Sequence, residues 1–134
     1  MKKNVLVLCT GNSCRSIIAE ALINAKLGDC VFAQSSGVKA SGTLNSHVKA
    51  LLKEQGYWRD KYHSKVIETV LDTAFDLIIT VCDNAKESCP IFPKAIKTIH
   101  IAFEDPSGKA EKEYRKTLNV IEKELLPIVK EELC

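Results

Sequence analysis

With 134 residues and a mass of 14.8 kDa, the chain is sized for one domain burying about two-thirds of its unfolded surface, which excludes a two-domain enzyme. Hydrophobic residues at 46%, charged residues at 27%, and only 6 Gly and 4 Pro exclude a disordered or fibrous chain. A formal charge of +2 is too small for a nucleic-acid stripe or a polybasic membrane anchor, so an anionic ligand must be captured locally.

The first apolar run, Val5 to Cys9, is too short for a signal-peptide core or a membrane span, and a cytoplasmic location is expected. Its continuous, partly β-branched character predicts a central parallel strand covered on both faces. After the polar stretch Cys9 to Arg15, the spacing of Ile17, Ile18, Ala21, Leu22 and Ala25 predicts an amphipathic helix ending near Gly28. Val31-Phe32-Ala33 reads as a second strand, with Ser35-Ser36-Gly37 opening a loop. Val48, Leu51 and Leu52 mark a second helix stopped by Gly56. Val66 to Phe75 reads as a short interrupted helix. Asp76 to Val81 repeats the strand signature, and Thr98 to Ile101 gives a shorter strand after Pro90 and Pro93. A final helix starts near Lys109 with Tyr114, Leu118, Ile121, Leu125 and Ile128 on one face, and Pro127 is expected to kink it or shift its register. Strands alternating with helices predict a three-layer α/β domain over residues 1–134, with a central parallel sheet of about four strands.

In such sheets ligands sit beyond the carboxyl ends of the strands, where the first strand delivers Cys9-Thr10-Gly11-Asn12-Ser13-Cys14-Arg15-Ser16. A short loop with a glycine, small polar side chains and a following helix can curl so that successive backbone N–H groups face a tetrahedral oxyanion. Arg15 closes the ring, because its planar guanidinium grips two oxygens at once. The same donors are expected to lower the Cys9 pKa toward neutrality and make it a nucleophile. A bare C-x5-R also fits a buried strand-end cysteine and a solvated helix-start arginine; the unbroken order of strand, polar loop, arginine, serine and helix favours the cradle.

These residues, Cys9 to Ser16 within Val5 to Glu20, resemble the signature loop of the low-molecular-weight protein tyrosine phosphatase superfamily, and within it the thiol-coupled arsenate reductases. The resemblance spans nearly the whole chain. It implies that Cys9 attacks, that Thr10, Gly11, Asn12, Ser13, Cys14 and Arg15 form the oxyanion cradle, and that Ser16 hydrogen-bonds the sulfur. Arsenate is the implied substrate, with phosphate or sulfate as analogue. No cofactor, no metal, no nucleic acid and no membrane partner is expected.

A phosphatase needs one cysteine, a cradle and a proton donor, and would use the further cysteines of Cys82-Asp83-Asn84-Ala85-Lys86-Glu87-Ser88-Cys89-Pro90 only for redox protection. On a helix, Cys82 and Cys89 would stand about 10.5 Å apart along the axis. A disulfide tolerates about 7 Å between Cα atoms, so this pair joins only if the segment unwinds. Asp83, Asn84 and Ser88 favour turns and caps and make that easier. The resemblance then implies a relay. Cys9 attacks arsenate while Asp105 protonates the departing oxygen; Cys82 attacks Cys9 and releases arsenite; Cys89 attacks Cys82, leaving a Cys82–Cys89 disulfide. Thioredoxin is the implied reductant, with glutaredoxin or a small thiol as alternatives.

Asp105-Pro106-Ser107-Gly108 follows the last short strand, and the proline holds Asp105 extended. In tyrosine phosphatases of the superfamily an aromatic residue follows this Asp-Pro and holds the phenyl ring; Ser107 removes that wall and suits a small inorganic substrate. Relatives that bind a monovalent cation do so through positions matched here by Asn12, Glu20 and Ser36, with Lys65 at the fourth. Its ammonium is therefore expected to replace the cation by pairing with Glu20. His47, His63 and His100 lack ligand spacing. Cys30 and Cys134 match no functional position and read as packing and tail thiols. Arsenate reduction by the relay is thus the first reading. A phosphomonoester phosphatase using Cys9, Arg15 and Asp105 is the second, and an oxyanion- or thiol-sensing module the third.

Overall fold

The computed structural model describes residues 2–12, 14–82, 96–106 and 108–134. Expectations for Ser13, for Asp83 to Pro93 (Cys89 included) and for Ser107 lie outside the described residues. In chain order the elements are β1 (Lys3–Cys9), α1 (Arg15–Lys26), β2 (Val31–Gly37), α2 (Ser46–Gln55), a 3-10 turn (Ile67–Val70), β3 (Leu77–Thr80), β4 (Thr98–His100) and α3 (Glu111–Leu133).

The strands form one four-stranded parallel sheet in the order β2-β1-β3-β4. Val5, Leu6, Val7 and Leu8 are all fully buried, so both pleat faces of β1 are covered, as its unbroken apolar run requires. Helix α1 is buried over nine consecutive residues, Ser16 to Asn24, against β1, β2, α2 and α3. Fully enclosed side chains such as Ile17 and Leu22 contribute roughly 1.5–3 kcal/mol each. Connections leave β1 toward β2 on one side and toward β3 and β4 on the other. The carboxyl end of β1 is therefore the point where the winding reverses, which is where α/β sheets place ligands.

Local signals explain the helix limits. Asn45 caps α2, its Oδ1 accepting from the backbone N–H of His47 at 2.9 Å and of Val48 at 3.4 Å. Gly56 ends the helix at φ 79°, where a side chain would be strained.

Four expectations change. Ser35, Ser36 and Gly37 continue β2, paired with Val7, Leu8 and Cys9, because their polar groups are buried inside the protein. Val66 to Phe75 contains only the 3-10 turn Ile67–Val70. On α3 the buried stripe runs Tyr114, Leu118, Ile121, Leu125 and then Val129, with Ile128 only partly covered; Pro127 lies inside the helix on its exposed side. Cys30 and Cys134 are bonded to each other, with Cα atoms 6.0 Å apart, and so are not separate packing and tail thiols. Among the described residues no helix is long and apolar enough to cross a membrane.

Candidate active site

Cys9 is the last residue of β1 and is 3% exposed. The carbonyl oxygens of Cys9, Thr10 and Gly11 accept from the backbone N–H groups of Val38 (3.1 Å), Lys39 (3.0 Å) and Ser41 (2.9 Å). Ser64 Oγ donates to the Gly11 carbonyl as well, at 3.0 Å. In a planar trans peptide the N–H points opposite to the C=O. Tying three carbonyls to the segment after β2 therefore turns the N–H groups of Thr10, Gly11 and Asn12 to the other side. The Asn12 N–H lies on the side that favours a thiolate at Cys9. Gly37 lets the two segments meet: a Cβ there would stand 2.6 Å from the Thr10 carbonyl oxygen.

Asn12 fixes the turn. Its backbone is left-handed at φ 50°, a conformation asparagine tolerates better than most side chains. Its buried amide is fully used. Nδ2 donates to Ser16 Oγ at 2.8 Å and Ser35 Oγ at 2.9 Å, and Oδ1 accepts from the Lys65 N–H at 2.8 Å. Ser35 Oγ then donates to Glu20 Oε1 at 2.5 Å. Ser35 occupies the place expected for Ser36, because alternate residues of a strand face opposite ways and Ser35 faces α1. The Ser36 hydroxyl is buried without a partner among the described residues. The Ser16 hydroxyl meets Asn12, and the expected bond to the Cys9 sulfur is not among its contacts.

Burial pushes the Glu20 carboxyl above its ordinary range; the positive charge of Lys65, the Ser35 hydroxyl, Lys61 and His63 pull it back. Lys65 is the strongest of the opposing influences, yet no direct ion pair joins it to Glu20 among the described residues. The expected pairing is electrostatic rather than a contact.

Arg15, the first residue of α1, donates from Nη1 to the Phe103 carbonyl at 3.0 Å, and its Nη2 lies 3.7 Å from Asp105 Oδ2. Its Nε is buried and has no hydrogen-bond partner among the described residues, which leaves a charged donor for an oxyanion to meet. The Asp105 side chain is 49% exposed beside this guanidinium. The segment after β4 thus brings Asp105 to the mouth of the cradle. Cys14 is buried and its thiol is pushed up to about 12, by burial first and by the Asp105 charge second, so it stays protonated.

Cys82 closes the site. Val81 N–H donates to the Leu8 carbonyl at 2.9 Å, which sets the next residue beside Cys9. The Cys82 thiol stands near enough to Cys9 to dominate its ionisation, and Cys82 Sγ lies 3.1 Å from Thr10 Oγ1. The Cys9 pKa is accordingly raised, first by Cys82 and next by burial, against the lowering by Arg15 and the Asn12 N–H. The expected near-neutral thiol is corrected on that ground: two neighbouring buried thiols oppose each other's ionisation, so Cys9 keeps its proton to higher pH. The structure brings together Cys9, Thr10, Gly11, Asn12, Cys14, Arg15, Ser16, Cys82 and Asp105. Sequence reasoning missed Ser35, the Phe103 carbonyl and the tethers from Val38, Lys39, Ser41 and Ser64. Only the small-residue run Ser35-Ser36-Gly37 hinted at a close approach. The histidines stand apart: His47 stacks on Tyr114 with ring centres 4.9 Å apart, His63 Nδ1 meets the Lys61 carbonyl at 2.8 Å, and His100 Nδ1 meets Thr80 Oγ1 at 2.7 Å.

A strand-end cysteine, a loop whose described N–H groups turn away from its tethered carbonyls, and an arginine at the start of the next helix are the arrangement expected of a phosphatase-type oxyanion cradle. The chain matches the low molecular weight phosphotyrosine protein phosphatase family over residues 4–133 and belongs to that family. Its curated relatives include an arsenate reductase of Brevibacillus brevis, 38% identical over 120 residues that cover 90% of this chain and 89% of the relative. Another is arsenate reductase 1 of Staphylococcus epidermidis, 35% identical over 120 residues and 90% of each chain. Among solved structures, an arsenate reductase from Archaeoglobus fulgidus superposes with a TM-score of 0.79 at 36% identity, covering 94% of this chain and 98% of that one. A low molecular weight protein tyrosine phosphatase from T. tengcongensis superposes with a TM-score of 0.82 at 28% identity, covering 97% and 99%.

Proposed function

We propose that the chain reduces arsenate to arsenite through three cysteines. The observation that carries this reading is the Cys82 thiol at the loop that follows Cys9, 3.1 Å from Thr10 Oγ1 and close enough to govern how Cys9 ionises. Hydrolysis of a phosphoester needs one thiol and a proton donor; a second thiol beside the first serves electron transfer. The arsenate reductases among the relatives support the same choice.

Arsenate enters the ring of N–H groups, and Arg15 binds its oxygens. Docking of the oxyanion draws on the Arg15 charge and the inward N–H groups. The thiol pair releases a proton, and Cys9 attacks arsenic as the thiolate. Asp105, at the mouth, delivers a proton to the departing oxygen, which leaves as water. Cys82 then attacks Cys9 Sγ. The sulfur–arsenic bond breaks with its electron pair going to arsenic, which leaves as arsenite, and a Cys9–Cys82 disulfide remains. Cys89 attacks Cys82 and frees Cys9. A dithiol protein of the thioredoxin type returns the Cys82–Cys89 disulfide to two thiols.

Arsenate-dependent oxidation of NADPH through thioredoxin reductase and thioredoxin tests the scheme on the wild type and on Cys9→Ser, Cys82→Ser and Cys89→Ser. Each variant is expected to fall to background. If the wild type consumes no NADPH with arsenate while Cys82→Ser and Cys89→Ser both hydrolyse an aryl phosphate at the wild-type rate, the chain is a phosphatase and the relay is wrong.

A further inference from the structure

Asp105 is carried on a short span between two fixed points. Before it, the Phe103 ring is buried, the Phe103 N–H donates to the Val81 carbonyl at 3.1 Å, and the Phe103 carbonyl accepts from Arg15 Nη1 at 3.0 Å. After it, α3 begins at Glu111. Packing around the span is thin. A hollow of about 120 Å³ is lined by Pro106 and Lys109 of the span and by Thr117 and Val120 of α3. A wider one of about 500 Å³, toward the start of α2, is lined by Gly108 and Lys109 together with Leu44, Asn45 and Tyr114. Where side-chain packing is sparse, a loop takes its position from its polar contacts.

Two such contacts close the span. The Lys109 N–H donates to the Pro106 carbonyl at 3.0 Å, in a turn where Gly108 stands at φ 80°. Lys109 Nζ meets Glu104 Oε1 at 2.7 Å, so the residue before Asp105 is tied by an ion pair to one four positions beyond it. Both partners are held ionised by that bond, which lowers the Glu104 pKa and raises that of Lys109. From α3, Lys116 acts on Glu104 and Glu113 on Lys109 more weakly. The lysine side chain is 44% exposed and the glutamate 76%, so the pair adds little to global stability. A preference of that size still shifts a loop between nearby positions.

We infer that Lys109 is a positioning residue for the reaction: by holding Glu104 across the turn, it keeps the Asp105 carboxyl at the mouth of the cradle, where the departing oxygen takes its proton. The inference rests on Asp105 as the proton donor, a role it has in the arsenate reading and in the phosphatase reading alike. Among the described residues Lys109 has no hydrogen bond or ion pair to the cradle, so it acts through the Asp105 segment.

The test is a single turnover of saturating arsenate by the reduced protein without reductant, followed as loss of free thiols. Lys109→Met and Glu104→Ala are each expected to slow the rate constant about threefold, with the half-saturating arsenate concentration within about twofold of the wild type. Their melting temperatures should stay within about 2 °C of it. Lys109→Arg, which keeps a cation at the end of a long stem, should recover the rate. Glu104→Ala/Lys109→Met should be no slower than the slower single variant, because only one pair is lost. On an Asp105→Asn background, Lys109→Met should have no further effect. Wild-type rate in Lys109→Met, multiplied losses in the double variant, no recovery in Lys109→Arg, or a slowing that persists beside Asp105→Asn would each overturn the inference. Asp105→Asn at the wild-type rate would overturn it together with the role of Asp105. A wild type that leaves arsenate untouched defeats the relay instead, and the same comparisons are then read on hydrolysis of phenyl phosphate, whose leaving oxygen also takes a proton. Turnover of neither substrate overturns both.

Discussion

Two neighbouring buried thiols resist ionising, because a thiolate on one raises the cost of a thiolate on the other. At Cys9 the presence of Cys82 and burial outweigh the Arg15 charge and the Asn12 N–H, so the unliganded site holds its thiol protonated. Removing the neighbour in Cys82→Ala should move the midpoint of Cys9 alkylation by iodoacetamide, followed by mass mapping, to lower pH. An unchanged or higher midpoint would show that Cys82 does not control it. Glu20 titrates through a different cause. Burial raises its folded-state pKa above the ordinary 4.5, so the folded protein holds that proton more tightly than the unfolded chain. The associated stabilisation is complete below the unfolded value and disappears as pH climbs through the raised folded value. Glu20→Gln stays neutral and still accepts from Ser35, so it lacks this dependence. Denaturant unfolding should show wild-type stability falling relative to Glu20→Gln as pH rises from about 4.5 toward neutrality. A difference independent of pH in that window would mean that Lys65, Lys61 and His63 fully offset the burial.

Among the elements, β2 and the loop after β1 depend on each other through Gly37. Gly37→Ala would put a methyl group against the Thr10 carbonyl oxygen, a backbone atom that cannot swing aside. About 1–3 kcal/mol of stability should be lost, read by denaturant midpoint, together with a weakened affinity for phosphate read by calorimetry. Retained phosphate affinity at reduced stability would show that the cradle holds its shape without that contact. Asn45 serves two elements, since it caps α2 and its Nδ2 donates to the Tyr114 hydroxyl on α3 at 3.1 Å. Asn45→Ala should lose about 1–2 kcal/mol, whereas Asn45→Asp should keep the cap and lose only the donation to Tyr114. The legible elements were those whose signals are local. The β1 run, the apolar period of α1, and Gly56 after α2 each announce themselves within a few residues. The buried end of β2 was hidden because Ser35 and Ser36 look like loop residues until Glu20 and Asn12, distant in sequence, supply their surroundings. Strand parity then decides that Ser35, not Ser36, joins the network. The turn from the end of β1 at Cys9 to the start of α1 at Arg15 was legible from local signals, but the neighbour that raises the Cys9 pKa, Cys82, follows a different strand.

For the whole molecule the Cys30–Cys134 bond closes a loop of sequence separation 104. No local pattern marks that pairing, which exists only once α3 has packed on α1 and brought its end to the start of β2. By chain entropy such a closure stabilises by about 4–5 kcal/mol. Reduction should therefore lower the melting temperature of the wild type by on the order of 10 °C. Cys30→Ser should melt at the reduced wild-type temperature with or without reductant. Equal melting of oxidised and reduced wild type would show that the link does not constrain the fold. The same global scale governs the oxyanion ring. Because the backbone after β2 already restrains the carbonyls of Cys9, Thr10 and Gly11, the ordering entropy of this receptor is met while the chain folds. An arriving oxyanion then has little left to organise. Association should be rapid, and selectivity among tetrahedral anions should follow their size and charge against a fixed mould.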